Sequence, residues 1–274
     1  MSGAFFRRFE MKIRIAALAL AAVLVLASCG QSHAVNESEY VYPQLIAHAG
    51  GAIWGYRYTN SLEAINAAYA AGFRYIELDF ELTSDGSIVL IHDWEAMAER
   101  MLFSEGVRTR DEFLSSPTFM RLTLLDAAGL KKWMESHEDA YIITDVKVSH
   151  NAAVLRKLKQ ELGKASERLI PQIYSTEQYD EVRALGFSDM ILTVYKMDAD
   201  GEKLSAFIRD HELWAVTIAF SRLTEDFISA VRSAGRDTAV YAHTVNTLSD
   251  FENWKPLGLT GIYTDYFVPT HWNS

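Results

Sequence analysis

The chain has 274 residues, 49% of them hydrophobic, and its 26 basic and 36 acidic residues give a formal charge of −10. This length suits one domain of roughly 200–250 residues or two small ones, and the hydrophobic content excludes disorder as a description of the whole chain. A chain this acidic is not expected to bind nucleic acid by releasing counterions, so we expect no nucleic-acid partner.

A lipoprotein signal peptide is predicted over residues 1–28. Basic residues precede an apolar stretch at 13–27, which is too short and too basic at its start to be read as a membrane-spanning helix. The stretch ends in LASCG, whose Cys29 is the only cysteine in the chain. This ending resembles a bacterial lipobox, which implies cleavage before Cys29 and acylation of that residue. A plain secretory signal with an incidental cysteine is the alternative.

The predicted localisation follows from that anchor. Residues 29–43 are predicted to form a tether, and residues 30–40 are mostly polar. An acidic body would not adhere to an anionic bilayer, so membrane residence would depend on acyl chains at Cys29. We expect a lipid-anchored protein of the cell envelope. Gly30 is not the Asp associated with inner-membrane retention, so the outer membrane is favoured if the source has one.

After the tether, strand-like runs alternate with helix-like segments. The predicted strands are 44–48, 74–80, 141–148, 169–175, 190–196, 213–220, 238–245 and 261–265. One further run, 87–92, follows an Asp-Gly pair and predicts a β-hairpin with the second strand. The predicted helices are 60–72, capped by Asn60 or Ser61, 123–137, 151–163, 176–186, capped by Thr176, 201–212, 223–235 and 248–258.

This alternation predicts an α/β fold with a parallel sheet. Eight strand–helix units are the size of a (β/α)8 TIM barrel, here spanning residues 44–274 with an extra β-hairpin and a short insertion after the second strand. A doubly wound open sheet is the alternative, but the first loop lacks the GxGxxG pattern typical of that fold. The insertion, residues 95–122, is rich in Met and Phe; it is either a lid over an apolar mouth or a helical cap on the barrel's side.

Polar side chains cluster at the predicted carboxyl ends of the strands, where barrels carry their active sites. Glu77 and Asp79 share one face of their strand because side chains alternate. Asp145 and Lys147 have the same spacing on the next barrel strand. The other side chains at these ends are His48, His92, His243, Asn246 and Asp265.

Three converging carboxylates repel one another unless a cation lies between them. Their all-oxygen donor set suits Mg²⁺ or Ca²⁺, so we predict one such divalent cation held by Glu77, Asp79 and Asp145. His48 and His92 suit general acid and base roles near neutral pH, and Lys147 would add a fixed positive charge that stabilises developing negative charge. The alternative is a structural ion-pair network inside the barrel.

The stretch IAHAGG at 46–51 and the stretch YTNSLEAINAAYAAGFRYIELDFELTSDGSIVLIHDW at 58–94 resemble the opening of the glycerophosphodiester phosphodiesterase family, of the PLC-like phosphodiesterase superfamily. The resemblance continues through LTLLDA, DVK, HTVN and GIYTD, and covers most of residues 44–266. It implies a (β/α)8 barrel with an insertion after the second histidine. It also implies that His48 and His92 are the catalytic acid/base pair, that Glu77, Asp79 and Asp145 are metal ligands, and that Lys147 contacts phosphate.

The chain departs from that family's pattern at four positions. Ala49 stands where the family usually has Arg, so a phosphate contact is missing unless Arg57 or a backbone N–H replaces it. Thr59 replaces an acidic residue, Asp145 replaces the usual Glu, and His243 replaces an aromatic residue. Three residues are candidates for substrate binding on weaker grounds than the histidines and carboxylates above: Arg57, His243 and Trp54.

The sequence supports two classes of function. The first is a metal-dependent phosphoric diester hydrolase that acts on glycerophosphodiesters or phospholipid headgroups at a membrane surface. A sphingomyelinase D-like phospholipase is a variant of it, because that branch shares the paired histidines and the Glu-x-Asp motif. The second is a non-catalytic surface lipoprotein that binds a ligand or host protein, which the loss of Arg at Ala49 favours and the acid cluster opposes.

Overall fold

Eight parallel strands close into a barrel in the part of the chain that the structure, a computed structural model, describes: residues 42–146, 151–194 and 201–269. The strands are β1 Leu45–Ala47, β2 Tyr75–Leu82, β3 Ile88–Leu90, β4 Tyr141–Asp145, β5 Leu169–Ile173, β6 Ile191–Thr193, β7 Ala215–Ala219, β8 Ala239–His243 and β9 Gly261–Thr264. The order around the barrel is β1-β9-β8-β7-β6-β5-β4-β2, and pairing of β1 with β2 closes it. The remaining strand, β3, pairs antiparallel with β2 as the predicted hairpin.

Helices cover the outside of the barrel between successive strands. They are α1 Leu62–Ala70, α2 Ala96–Leu102, α3 Arg110–Ser115, α4 Ala127–Ser136, α5 Asn151–Leu162, α6 Gln178–Arg183, α7 Gly201–Asp210, α8 Glu225–Ser233 and α9 Leu248–Trp254. The predicted (β/α)8 fold is therefore confirmed. Among these helices, none is both long enough and apolar enough to cross a bilayer.

Helix starts follow local capping chemistry in most cases. Ser61 caps α1 by accepting a hydrogen bond from the backbone N–H of Ala64 at 3.3 Å, as one of the two predicted caps requires. The cap predicted at Thr176 is wrong. Helix α6 begins after Glu177, whose backbone is already helical and whose side chain makes no cap.

A layer of aromatic rings fills the N-terminal end of the barrel. Tyr75 stacks on Tyr141 with ring centroids 5.0 Å apart, and Trp214 stacks on Tyr75 at 5.7 Å and on Tyr241 at 5.5 Å. Each such pair contributes about 0.5–1.5 kcal/mol beyond the burial of its area. This layer closes the N-terminal end of the barrel, and Asp79 and Asp145 lie toward the opposite, carboxyl end of β2 and β4.

The insertion after β3 has a small hydrophobic core of its own. Helices α2 and α3 pack on the outer face of the hairpin through buried residues that include Trp94, Met97, Met101 and Phe113. Tyr58, from the loop after β1, packs against the same cluster. The insertion thus supports one wall of the barrel mouth, and its role as a lid stays a prediction.

Candidate active site

Three carboxylates meet inside the barrel at the carboxyl ends of β2 and β4. Glu77 and Asp79 are two residues apart on β2, so their side chains share the face that points into the barrel. The parallel register sets Asp79 beside Asp145 of β4. One oxygen from each side chain lies within 4.8 Å of the others. Glu77 and Asp79 are each only 2% exposed. The predicted set of metal ligands is therefore brought together by strand pairing.

Hydrogen bonds hold each of these carboxylates in place. The backbone N–H of Ala49 donates to Glu77 Oε2 at 2.8 Å, and the hydroxyl of Tyr174 donates to Asp145 Oδ1. Asn60 Nδ2 donates to Asp79 Oδ2 at 2.9 Å, while Asn60 Oδ1 accepts from the backbone N–H of Asp79 at 3.0 Å. Asn60 adopts a left-handed backbone, with φ of 48°, to reach strand β2.

The electrostatics of this trio fit a bound cation. Burial, followed by the charge of Asp79, raises the pKa of Glu77 to about 8, and nearby His48 and the Ala49 N–H offset this only in part. Keeping all three carboxylates ionised at neutral pH is therefore costly without a positive charge between them. Their oxygen donors suit Mg²⁺ or Ca²⁺. Glu77, Asp79 and Asp145 are the described residues that would hold such an ion.

His48 is held by a buried carboxylate from the last strand's end. Its Nδ1 lies 2.9 Å from Asp265 Oδ1, and the Asp265 side chain is fully buried. Asn246 Nδ2 donates to the other oxygen of Asp265 at 2.7 Å, which fixes that carboxylate. Burial alone would lower the pKa of His48, but the Asp265 hydrogen bond and the charge of Glu77 outweigh it and raise the pKa. The arrangement occupies Nδ1 and leaves Nε2 as the nitrogen for chemistry.

His92 follows β3 and is held in the same way by its neighbour in sequence. Its Nδ1 lies 2.6 Å from Asp93 Oδ2. Asp93 Oδ1 accepts backbone N–H bonds from Glu95 at 3.1 Å and Met97 at 2.9 Å. Burial opposes ionisation of Asp93, but these bonds and His92 outweigh it and lower the pKa of Asp93. Both predicted catalytic histidines are therefore oriented by a carboxylate at Nδ1.

The two imidazoles line one cavity together with Glu77 and Asp145 of the acid trio. Tyr58 stands between the histidines, with its ring centroid 4.8 Å from His48 and 5.1 Å from His92, edge to face in both cases. The cavity has a volume of about 390 Å³. It is lined by His48, Tyr58, Glu77, His92, Asp145, Gln172, Thr193, Ala219, His243, Thr244 and Tyr263.

The weaker substrate-binding candidates differ in their placement. His243 lines the cavity, and its Nδ1 lies 3.0 Å from Thr217 Oγ1. Arg57 is not among the lining residues; its Nη1 lies 3.7 Å from Asp265 Oδ2, and its side chain is half-exposed. Trp54 is 60% exposed and is not among the lining residues, so the structure does not bring it into the cavity. Lys147 and Cys29 lie outside the described residues.

Sequence reasoning missed several residues that shape this site. Asn60 was expected as a helix cap, yet it binds Asp79. Asp265 was noticed only as a polar strand end, and its contact with His48 joins residues 217 positions apart. The position of Tyr58 between the two histidines was not indicated by the sequence. The backbone N–H of Ala49 is already bonded to Glu77 and is not the substitute for the absent arginine.

The fold and this cavity define a barrel enzyme with its active site at the carboxyl ends of the strands. A family model described as the glycerophosphoryl diester phosphodiesterase family matches residues 51–200, more than half of the chain. The chain belongs to the glycerophosphoryl diester phosphodiesterase family.

Individual relatives agree with that assignment. A glycerophosphodiester phosphodiesterase of Haemophilus influenzae is 38% identical over 86 residues, which cover 30% of this chain and only 23% of that protein. A phosphodiesterase of Oleispira antarctica, solved with the product sn-glycerol-3-phosphate, has a TM-score of 0.67 at 18% identity over 82% of this chain and 93% of its own. A glycerophosphodiester phosphodiesterase of Thermotoga maritima has a TM-score of 0.66 at 19% identity over 82% and 95%. The last two show the shared fold.

Proposed function

We propose that the protein is a metal-dependent phosphoric diester hydrolase that acts on glycerophosphodiesters. One observation carries this proposal: two imidazoles, each bonded through Nδ1 to a carboxylate, line the same cavity as Glu77 and Asp145, two of the three clustered carboxylates. A ligand-binding module would need neither the paired histidines nor their carboxylates. Family membership and the product bound to the Oleispira antarctica protein support the same class of substrate.

The imidazoles of His48 and His92 divide the proton transfers between them. One accepts the proton of the attacking hydroxyl, and the other donates a proton to the departing alkoxide. Asp265 and Asp93 each hold Nδ1, so the reacting nitrogen of both rings is Nε2, and each carboxylate stabilises the imidazolium that forms. The ring of Tyr58 lies against both imidazoles and restricts their rotation.

A divalent cation, when bound by Glu77, Asp79 and Asp145, would supply charge stabilisation for the nonbridging oxygens of the phosphodiester. Lys147, two positions beyond Asp145, is proposed from the sequence to add a second positive charge. Arg57 is proposed to approach the phosphate in place of the family arginine absent at Ala49, because its guanidinium already lies near Asp265.

The location of this activity rests on the N-terminal segment. The proposed acylation of Cys29 would hold the enzyme at a membrane surface of the cell envelope. There it would meet phospholipid headgroups or their deacylated glycerophosphodiesters. Mass spectrometry of the protein recovered from the membrane fraction tests this, and a Cys29→Ala variant that stays in that fraction would contradict it.

Turnover of bis(4-nitrophenyl) phosphate and of glycerophosphodiesters tests the proposed activity. We expect hydrolysis that EDTA abolishes and that Mg²⁺ or Ca²⁺ restores. His48→Ala and His92→Ala should each reduce turnover by several orders of magnitude without changing thermal unfolding by more than a few degrees. His137→Ala, at the C-terminal end of α4 and far from the cavity lining, is the matched control. If no phosphodiester is turned over with either metal, the non-catalytic binding function is favoured.

A further inference from the structure

The cavity has two chemically different halves. The acid trio belongs to β2 and β4 on one side. The opposite side is built from β5 through β9 and carries amide, hydroxyl and imidazole groups. Its polar lining residues are Gln172, Thr193, His243, Thr244 and Tyr263. This half, defined here as the neutral wall, carries no carboxylate, ammonium or guanidinium group among those lining residues.

Tyr263 is the most informative member of the neutral wall. The residue is 2% exposed, and its hydroxyl has no hydrogen-bond partner within the described ranges. Burial, together with the charges of Glu77 and Asp145, raises the pKa of Tyr263 well above its ordinary value, so the hydroxyl keeps its proton. An unsatisfied buried hydroxyl is rare in native proteins because it costs about 1–3 kcal/mol. A bound molecule would remove that cost.

The other groups of the neutral wall are fixed by short contacts. Thr193 Oγ1 donates to Gln172 Oε1 at 3.0 Å, so the amide nitrogen of Gln172 is the part of that side chain suited to donate to a ligand. Thr217 holds Nδ1 of His243 at 3.0 Å. The rings of His243 and Tyr263 lie 6.1 Å apart. Amide, imidazole and hydroxyl groups are thus displayed together on one surface.

We propose that the neutral wall is a subsite for an uncharged, hydroxyl-bearing alcohol of the phosphodiester, such as a glycerol, inositol or sugar headgroup. Neutral donors and acceptors match hydroxyl groups, whereas a quaternary ammonium or an acyl chain would leave them unpaired, which costs affinity. His243 stands where an aromatic residue is expected from the family resemblance, so this wall is more polar in this chain than that pattern predicts. The inference rests on the proposed function and adds a headgroup preference to it.

Paired headgroups test the subsite. We expect kcat/KM for glycerophosphoglycerol and glycerophosphoinositol to exceed that for glycerophosphocholine by about tenfold or more. Tyr263→Phe removes only the hydroxyl and should reduce this ratio about fivefold, the effect of one neutral hydrogen bond. His243→Phe should reduce it as well. Tyr241→Phe is the control, because its hydroxyl donates to Pro43 O at the other end of the barrel, and it should leave the ratio unchanged.

The two proposals fail in different ways. Absence of bis(4-nitrophenyl) phosphate turnover would contradict the proposed hydrolase activity. Calorimetric titrations of the protein in Mg²⁺ with glycerophosphoinositol and, separately, with glycerophosphocholine would still compare their affinities and so test the subsite. Equal losses on all headgroups in Tyr263→Phe, or equal binding of the two diesters by the unaltered protein, would overturn the subsite. The Tyr263 hydroxyl would then be satisfied by an ordered water only.

Discussion

Replacing Glu77 by Gln should stabilise the metal-free protein near neutral pH. Burial and Asp79 raise the pKa of Glu77 to about 8 in the folded protein, against 4.5 in the unfolded chain. The unfolded chain therefore releases this proton first as the pH rises. The free energy of unfolding of the metal-free protein should fall from about pH 4.5 to about pH 8 and then level off.

The shifted pKa sets the size of this effect. At pH 7 the penalty amounts to about 3 kcal/mol, since each pKa unit is worth 1.36 kcal/mol. Glutamine keeps the shape of Glu77 and an oxygen for the Ala49 N–H, but it carries no charge. At roughly 2–4 °C per kcal/mol for a domain of this size, Glu77→Gln should unfold about 6–12 °C higher in EDTA at pH 7.

Thermal unfolding between pH 5 and 8.5, with EDTA or with Mg²⁺ or Ca²⁺, measures both consequences. The unaltered protein should gain stability from metal, and more so at higher pH, whereas Glu77→Gln should respond little. Glu99→Gln, an exposed carboxylate on α2, is the control and should behave like the unaltered protein. A Glu77→Gln protein no more stable than this control in EDTA would refute the electrostatic reasoning for a cation at the trio.

Two further substitutions test the architecture around the site. Asp265→Asn removes the charge that opposes the effect of burial on His48, so the pKa of His48 should fall. The pH–rate profile should then move to lower pH, and kcat should fall about 100-fold or more. Asp139→Asn, an exposed carboxylate at the other end of the barrel, should leave the profile in place. Gly261→Ala would place a Cβ 2.6 Å from a ring carbon of Tyr241 and 2.7 Å from a backbone oxygen. It should cost about 3 kcal/mol in urea unfolding, and an unchanged midpoint would disprove the close packing.

The alternation of apolar strands and amphipathic helices was sufficient to predict the barrel. Each predicted strand has an observed counterpart. Parallel strands that are buried on both faces appear in the sequence as apolar runs, and helices appear as apolar residues that recur with the helical period. The acid trio was also predictable. Glu77 and Asp79 share a face through the two-residue period of β2, and Asp145 ends the strand that pairs with it.

Contacts between distant segments could not be predicted from the periodic pattern of apolar residues. Asn60 fits a cap by its local pattern, but a left-handed turn carries it to Asp79 on the neighbouring strand. Thr176 also fits a cap, and the chain turns into helix one residue later. Ser61 makes the cap that the local pattern offered to either Asn60 or Ser61, and the hydrogen bond of Asn60 to Asp79 depends on the neighbouring strand, which a local preference does not indicate.

The sequence by itself determined the barrel and placed the three clustered carboxylates and the two histidines at one end of it, because these placements follow from strand period and from strand ends. Only the tertiary structure decided that Asp265 holds His48, that Tyr58 separates the imidazoles and that Tyr263 faces the cavity without a hydrogen-bond partner among the described residues. These pairings depend on closure of the barrel, which brings the first and last strands together, and no local pattern encodes that distance.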